Sequence, residues 1–374
     1  MAPTPQRHVL LAIDSLSGRG SEKSVINLAE ALLQLGHKVN IVIYEDIVEF
    51  DIDSRINIYR LKPLSRPYPR ILSRLTDYEN VRLFKSLLNH IQNKQGYIDL
   101  IVSALPRIDR ILSLIKDCRI YHVIHSPLSL QNGIRKNSWH KKLSRIWHMK
   151  RIYDGRKIIS VSQGVGDDLI RFVKVRPSSI KTIYNPFNFG KLKELSSRPF
   201  TSLMGILPED YFLHIGAFTL REKRQDLLIQ AFALSGLKCK LVLLGKGKDE
   251  EKIRDLIKYH SLNDQVILAG FQSNPYPWIK HARLLVLSSY YEGFGNVLIE
   301  ALALNTPVLS TDCGGPSEIL FGSMRECLTP NGDVKALAEK MRTFFECPPL
   351  IDTKKIKRYE AKIVAKEYLK LIHS

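Results

Sequence analysis

Apolar residues in this chain gather into short continuous runs, and most runs are followed by a segment with 3–4 spacing. Residues 9–12, 39–44, 98–103, 120–126 and 157–162 are such runs in the first half, and 211–215, 240–244, 266–268, 286–288 and 306–310 in the second. Runs this short and rich in Val, Ile and Leu predict strands buried on both faces of a parallel sheet. Residues 23–35 place Val25, Leu28, Ala29, Leu32 and Leu33 on one helical face before Gly36, a C-cap residue. Further helices are expected over 83–91, 107–115, 226–234, 250–259 and 333–345. Repeated strand–turn–helix units predict two doubly wound α/β domains. The weakly periodic stretch 188–209, with Pro199 and Pro208, is the best boundary, giving a first domain over 1–190 and a second over 191–354.

The chemistry concentrates in 287–320, which reads as strand, loop, helix, strand, loop, helix. Its first loop, Glu292-Gly293-Phe294-Gly295-Asn296, runs into a helical face opening at Val297; its second contains Gly314 and Gly315. Both loops follow strands at the same end of a parallel sheet, where open α/β folds bind ligands. Glu292 and Glu300 lie about two helical turns apart. Ionised carboxylates accept several hydrogen bonds without donating, which suits hydroxyl groups; on spacing alone a capping and a surface glutamate remain the alternative. Arg221, Lys223, Arg224 and Lys246 fall in other strand-end loops, and a diphosphate needs such cations together with backbone donors. Gly270-Phe271 ends another strand, either as a ligand contact or as core. Alternation separates His122 from His125, leaving His125, at the strand end, as the better ligand candidate.

Composition narrows the class. The chain has 374 residues, is 44% hydrophobic and carries a formal charge of +19, a field that attracts nucleotides, phospholipid surfaces, nucleic acid or phosphorylated substrates. Part of the charge is patterned: Trp139, Leu143, Ile146 and Trp147 form an apolar stripe among Arg135, Lys136, Lys141, Lys142, Arg145, Lys150 and Arg151. This predicts a basic amphipathic helix suited to an anionic membrane surface; packing of the tryptophans into the domain is the competing reading. The proline-rich stretch 62–74, with Arg66, Arg70 and Arg74, is a candidate acceptor-side loop or an ordinary connector. Five scattered cysteines fit a reducing compartment and no zinc site. Asp51 and Asp53 read as a surface turn, so no metal is expected. No apolar run reaches the length of a membrane span, and residues 1–7 are too short and polar for a secretory leader. The loop 14–22 holds Gly18 and Gly20 but lacks a complete dinucleotide fingerprint, so a nicotinamide cofactor is not expected.

The Glu292–Glu300 stretch resembles the donor-site signature of retaining glycosyltransferase family 4, a glutamate, seven residues and a second glutamate. The resemblance covers nearly the whole chain, most specifically over 286–318. It implies a GT-B architecture, two Rossmann-like domains facing across a cleft, with the basic helix over about 355–374 returning to the first domain. On the same ground Glu292 orients the donor sugar and Glu300 binds ribose, with Gly293, Phe294, Gly295, Asn296 and Val297 around them. Lys223 matches the family's phosphate lysine, Gly270-Phe271 its base-contacting turn, His125 its sugar-contacting histidine, and Gly20 with Glu22 its N-terminal glycine loop. Two positions depart: Arg19 replaces a glycine, and Ala217 stands where the family has an arginine, for which Arg221 is the candidate replacement.

The resemblance implies transfer of a hexose or N-acetylhexosamine from a nucleotide diphosphate sugar, a UDP-sugar above all, to a glycan or lipid-linked acceptor of the bacterial surface, with retention. Front-face attack, with the leaving phosphate oxygen taking the acceptor proton, needs neither cofactor nor metal. The expected place is the cytoplasmic face of the inner membrane. A nucleotide-sugar epimerase or a sugar phosphorylase is the rival. A nucleic-acid-binding module would leave the glycine and carboxylate loops unexplained.

Overall fold

A computed structural model describes residues 5–18, 20–61, 73–135, 139–198 and 210–373. Arg19, Arg66, Arg70, Lys136, Pro199 and Pro208 lie outside them. The chain divides into two compact units, Met1–Phe187 with Tyr359–Ser374, and Asn188–Arg358.

In the first unit β1 (His8–Ile13), α1 (Gly20–Gln34), β2 (Lys38–Ile43), β3 (Asn57–Arg60), α2 (Ser73–Gln95), β4 (Leu100–Ala104) and α3 (Pro106–Leu112) come first. There follow β5 (Ile120–Ile124), α4 (Leu128–Gln131), α5 (Trp139–Tyr153), β6 (Lys157–Ser160), α6 (Gln163–Arg171) and β7 (Ser179–Thr182). The seven strands align in the order β3-β2-β1-β4-β5-β6-β7. Every residue of β1, β4 and β5 is buried, which explains their uninterrupted apolar runs: helices cover a parallel sheet on both faces.

The second unit holds α7 (Phe189–Ser196), β8 (Tyr211–Ile215), α8 (Gln225–Ser235), β9 (Lys240–Leu244), α9 (Glu250–Tyr259), β10 (Val266–Gly270) and α10 (Tyr276–His281). It continues through β11 (Leu284–Leu287), α11 (Asn296–Ala303), β12 (Val308–Thr311), α12 (Gly315–Ile319), β13 (Leu328–Thr329) and α13 (Val334–Glu346). Its six strands run β10-β9-β8-β11-β12-β13. The pairings are parallel, and the order reverses between β8 and β11. At that switch point the loops leaving β8 and β11 lie side by side, the place where open α/β sheets bind ligands.

The last helix, α14 (Ala361–Leu369), belongs to the first unit and packs on α1. It starts later than the basic pattern from about residue 355 predicts. Lys357–Tyr359 form a 3-10 turn, and Phe187 N donates to Tyr359 O and Ala361 N to Phe187 O, so Glu360 is extended against Phe187 and interrupts the helical bonding.

Candidate functional site

The loop after β8 and the loop after β11 form one laced structure. The Lys223 carbonyl accepts from Ser288 Oγ at 2.8 Å, and Tyr290 N donates to Glu222 O at 2.7 Å. At the end of this lacing the Lys223 ammonium meets Glu292 Oε1 at 2.5 Å, with side-chain exposures of 22% and 14%. Ser289 Oγ donates to the same carboxylate oxygen at 2.7 Å. Burial works to lower the Lys223 pKa, but the Glu292 charge and hydrogen bond outweigh it and hold the amine above its ordinary value. The ammonium therefore stays charged. Cys313 lies beside this pair, and burial followed by the Glu292 charge pushes its thiol well up, leaving it a poor nucleophile.

Two close backbone approaches bring the neighbouring loops into register. A Cβ on Gly245, whose φ is +151°, would run into Gly216 O. A Cβ on Gly315 would stand 2.5 Å from Phe294 Cα, so the loop after β12 lies directly against the 292–296 loop. Gly245 N donates to Gly270 O, and Phe218 N to Lys246 O, which sets the turns after β8, β9 and β10 side by side. The Phe271 ring is 53% exposed, and Lys246 Nζ stands 5.0 Å from its centroid. Phe271 is thus a surface platform beside a cation, not core.

Of the other sequence-predicted residues, Gly293, Phe294 and Gly295 are buried, and Asn296 and Val297 open α11 half-buried. Glu300 follows one turn later and is buried. Arg221 and Ala217 are exposed in the β8 loop. Arg224 pairs with Asp226 at 3.0 Å. Asp53 holds Arg55 through both carboxylate oxygens, so the acidic turn is neutralised locally.

In the first unit Gly20 opens α1, and Glu22 is buried there, accepting from Ser15 Oγ at 3.0 Å and Ser17 Oγ at 3.1 Å. His125 follows β5, with both ring nitrogens buried and without partners among the described residues. Burial pushes it down to about 4, against an opposing pull from Asp109. Asp109 is itself buried and accepts from Ser103 Oγ, from Tyr153 OH at 2.9 Å and from His122 Nδ1 at 3.0 Å. Asp14, at the exit of β1, accepts from Ile108 N at 2.8 Å, and burial raises it to about 6. Helix α5 leaves Trp139, Leu143 and Trp147 exposed at 64%, 52% and 60%. They are spaced by four residues and therefore share one face.

Sequence reasoning passed over Ser288, Ser289, Asp109 and Asp14. Each is a short polar residue at or just beyond the end of an apolar strand run, or at a helix start, and that position was the available signal.

Two doubly wound parallel sheets, one carrying a cation–carboxylate pair at its switch point, define a two-unit α/β protein. Comparison with known families resolves the class further. Residues 18–190 match Glycosyltransferase Family 4, and residues 206–363 match Glycosyl transferases group 1. An uncharacterized glycosyltransferase of Methanocaldococcus jannaschii is 39% identical over 145 residues, spanning 37% of this chain and 36% of that protein. An N-acetylgalactosamine-N,N'-diacetylbacillosaminyl-diphospho-undecaprenol 4-alpha-N-acetylgalactosaminyltransferase of Campylobacter jejuni is 26% identical, over 83% of this chain and 82% of its own. In fold, the chain resembles Anabaena Alr3699/HepE in complex with UDP and glucose, with a TM-score of 0.69 at 19% identity, covering 98% of each chain. The chain belongs to the group 1/family 4 glycosyltransferases and has the GT-B fold.

Proposed function

We propose that the protein transfers a hexose or N-acetylhexosamine from a nucleotide diphosphate sugar to a glycan or lipid-linked glycan acceptor, retaining the anomeric configuration, in assembly of a bacterial surface polysaccharide or lipopolysaccharide. The observation carrying this reading is the contact of Lys223 with Glu292 at the switch point of the second sheet. A fixed ammonium is a counter-charge for a leaving diphosphate, and the carboxylate beside it accepts from sugar hydroxyls. Lys223, with Arg221 in the same loop, holds the diphosphate. Glu292 orients the sugar, Glu300 takes the ribose, and Phe271 with Lys246 takes the base. His125, with unpartnered ring nitrogens, is the residue of the first unit assigned to the transferred sugar. Neutral at physiological pH, it donates or accepts a hydrogen bond without adding charge. The leaving phosphate oxygen takes the acceptor proton.

The UDP in the Anabaena complex supports a UDP-sugar donor, and the lipid diphosphate in the Campylobacter relative's name supports a lipid-linked acceptor. The exposed tryptophan face of α5, beside Lys141, Lys142 and Arg145, supports docking on an anionic membrane, at the cytoplasmic face of the inner membrane. Among the described residues no helix is long and apolar enough to cross a membrane.

The test is release of nucleoside diphosphate that depends on acceptor, with UDP-galactose, UDP-glucose, UDP-N-acetylhexosamines and GDP-mannose as donors. NMR of the product reads the anomeric configuration. Donor consumption without acceptor, yielding a free isomer, would support the epimerase alternative; dependence on inorganic phosphate would support the phosphorylase.

A further inference from the structure

Lys223 hangs from a loop, and a lysine side chain is flexible; its charge has a fixed place only if the backbone carrying it is fixed. The residues that fix it are not themselves among the donor-contacting groups. Gln225, the first residue of α8, is fully buried, and its Nε2 donates to Ala217 O at 2.9 Å. The same nitrogen lies 3.4 Å from His214 Nε2. His214 Nδ1 faces Val286 O at 3.0 Å, so Nδ1 carries the proton and Nε2 is the acceptor left for Gln225. One carboxamide therefore joins the start of the loop to β8 and, through His214, to β11. Its Oε1 is buried without a partner among the described residues, a cost the fold bears while both amide hydrogens are engaged.

The other end of the loop is tied by Ser288, also fully buried, whose Oγ donates to Lys223 O at 2.8 Å. Four residues further on, the same segment supplies Glu292. Burial pushes His214 down to about 4, with the Val286 carbonyl opposing and the Lys223 charge assisting, so no second positive charge competes with Lys223.

We propose that Gln225 and Ser288 are positioning residues for the diphosphate of the donor, holding the Lys223 loop to the exit of β11 so that the ammonium and the Glu292 carboxylate keep one geometry. The inference rests on the donor-site reading above. It concerns two residues behind the phosphate loop, both fully buried.

The experiment compares wild type with Gln225→Leu and Ser288→Ala, each first checked for cooperative thermal unfolding. UDP and GDP, and in parallel uridine and guanosine, are titrated by calorimetry and competition. Gln225→Leu is expected to weaken binding of whichever diphosphate the wild type takes by about tenfold, and Ser288→Ala by roughly threefold. The matching nucleoside is expected to bind as before. In turnover the donor KM rises while the acceptor KM holds. Nucleoside and diphosphate weakening in parallel would mark a purely structural role and overturn the proposal, as would unchanged diphosphate binding. Ser288→Ala deletes a single oxygen and carries the test if Gln225→Leu does not fold. Wild-type protein that binds neither UDP nor GDP would remove the donor-site reading and this inference with it, whereas a wild type that binds one while the variants fail to discriminate removes the inference alone.

Discussion

The ammonium of Lys223 and the carboxylate of Glu292 meet at 2.5 Å across a sequence separation of 69 residues. Each is the other's counter-charge, and Ser289 shares the carboxylate oxygen. Glu292→Gln keeps the shape and removes the charge. It is expected to lower kcat by roughly a hundredfold, read as acceptor-dependent release of nucleoside diphosphate; wild-type turnover would remove Glu292 from the catalytic assignment. Lys223→Met leaves a half-buried carboxylate without its cation. The expected loss is about 1–3 kcal/mol of stability in denaturant titration, together with a raised donor KM.

Gly315 tests the close approach of the two loops. Its Cβ position lies 2.5 Å from both Phe294 Cα and Phe294 O, backbone that cannot swing aside as a side chain would. Gly315→Ala is expected to destabilise the protein by about 1–3 kcal/mol and to impair turnover, because the displaced segment carries Glu292. Thermal unfolding beside wild type measures the first effect and steady-state kinetics the second.

His125 and Asp14, both in the first unit, contribute to the acid limb of stability with opposite signs. His125 is pushed by burial from 6.5 to about 4, so the unfolded chain takes up the proton first. The stability contributed by neutral His125 is full above pH 6.5 and is lost as pH falls toward 4, by up to roughly 3 kcal/mol. Asp14, raised by burial from 3.8 to about 6, runs the other way: the folded protein keeps a proton the unfolded chain releases, so stability is gained as pH falls through that window. His125→Asn should flatten the acid loss and Asp14→Asn should steepen it. Denaturant titrations at pH 4, 5, 6 and 7 check both signs.

Helix α5 should carry the membrane contact. Replacing Trp139 and Trp147 with alanine is expected to weaken partition onto anionic vesicles by roughly 2–3 kcal/mol. Neutralising Lys141, Lys142 and Arg145 costs about 1 kcal/mol each at a charged surface. Sedimentation with vesicles, repeated at high salt and with neutral lipid, separates the apolar from the electrostatic part. Unchanged sedimentation of both variants would end the membrane assignment.

The alternation of apolar runs with helical spacing makes the fold class readable in the sequence, because strands covered on both faces must be apolar throughout and β1, β4 and β5 are fully buried. Which loops carry cations, glycines and carboxylates was equally plain, since turn chemistry is local. For the same reason the pattern over 139–151 marked a basic helix with an apolar stripe.

Tertiary structure alone decided the rest. Strand order is not written in periodicity: β8 lies beside β11, and only that adjacency brings the Lys223 loop to Glu292 and lets Ser288 and Gln225 hold it there. Whether an apolar stripe is core or surface depends on what the chain lays over it, and nothing among the described residues buries Trp139, Leu143 or Trp147. Phe271 shows the same limit. An aromatic residue at a strand end fits a core or a platform equally well, and its exposure beside Lys246 comes from the packing of three turns that are distant in sequence. Local sequence determines what an element is; the order in which elements pair determines which side chains meet.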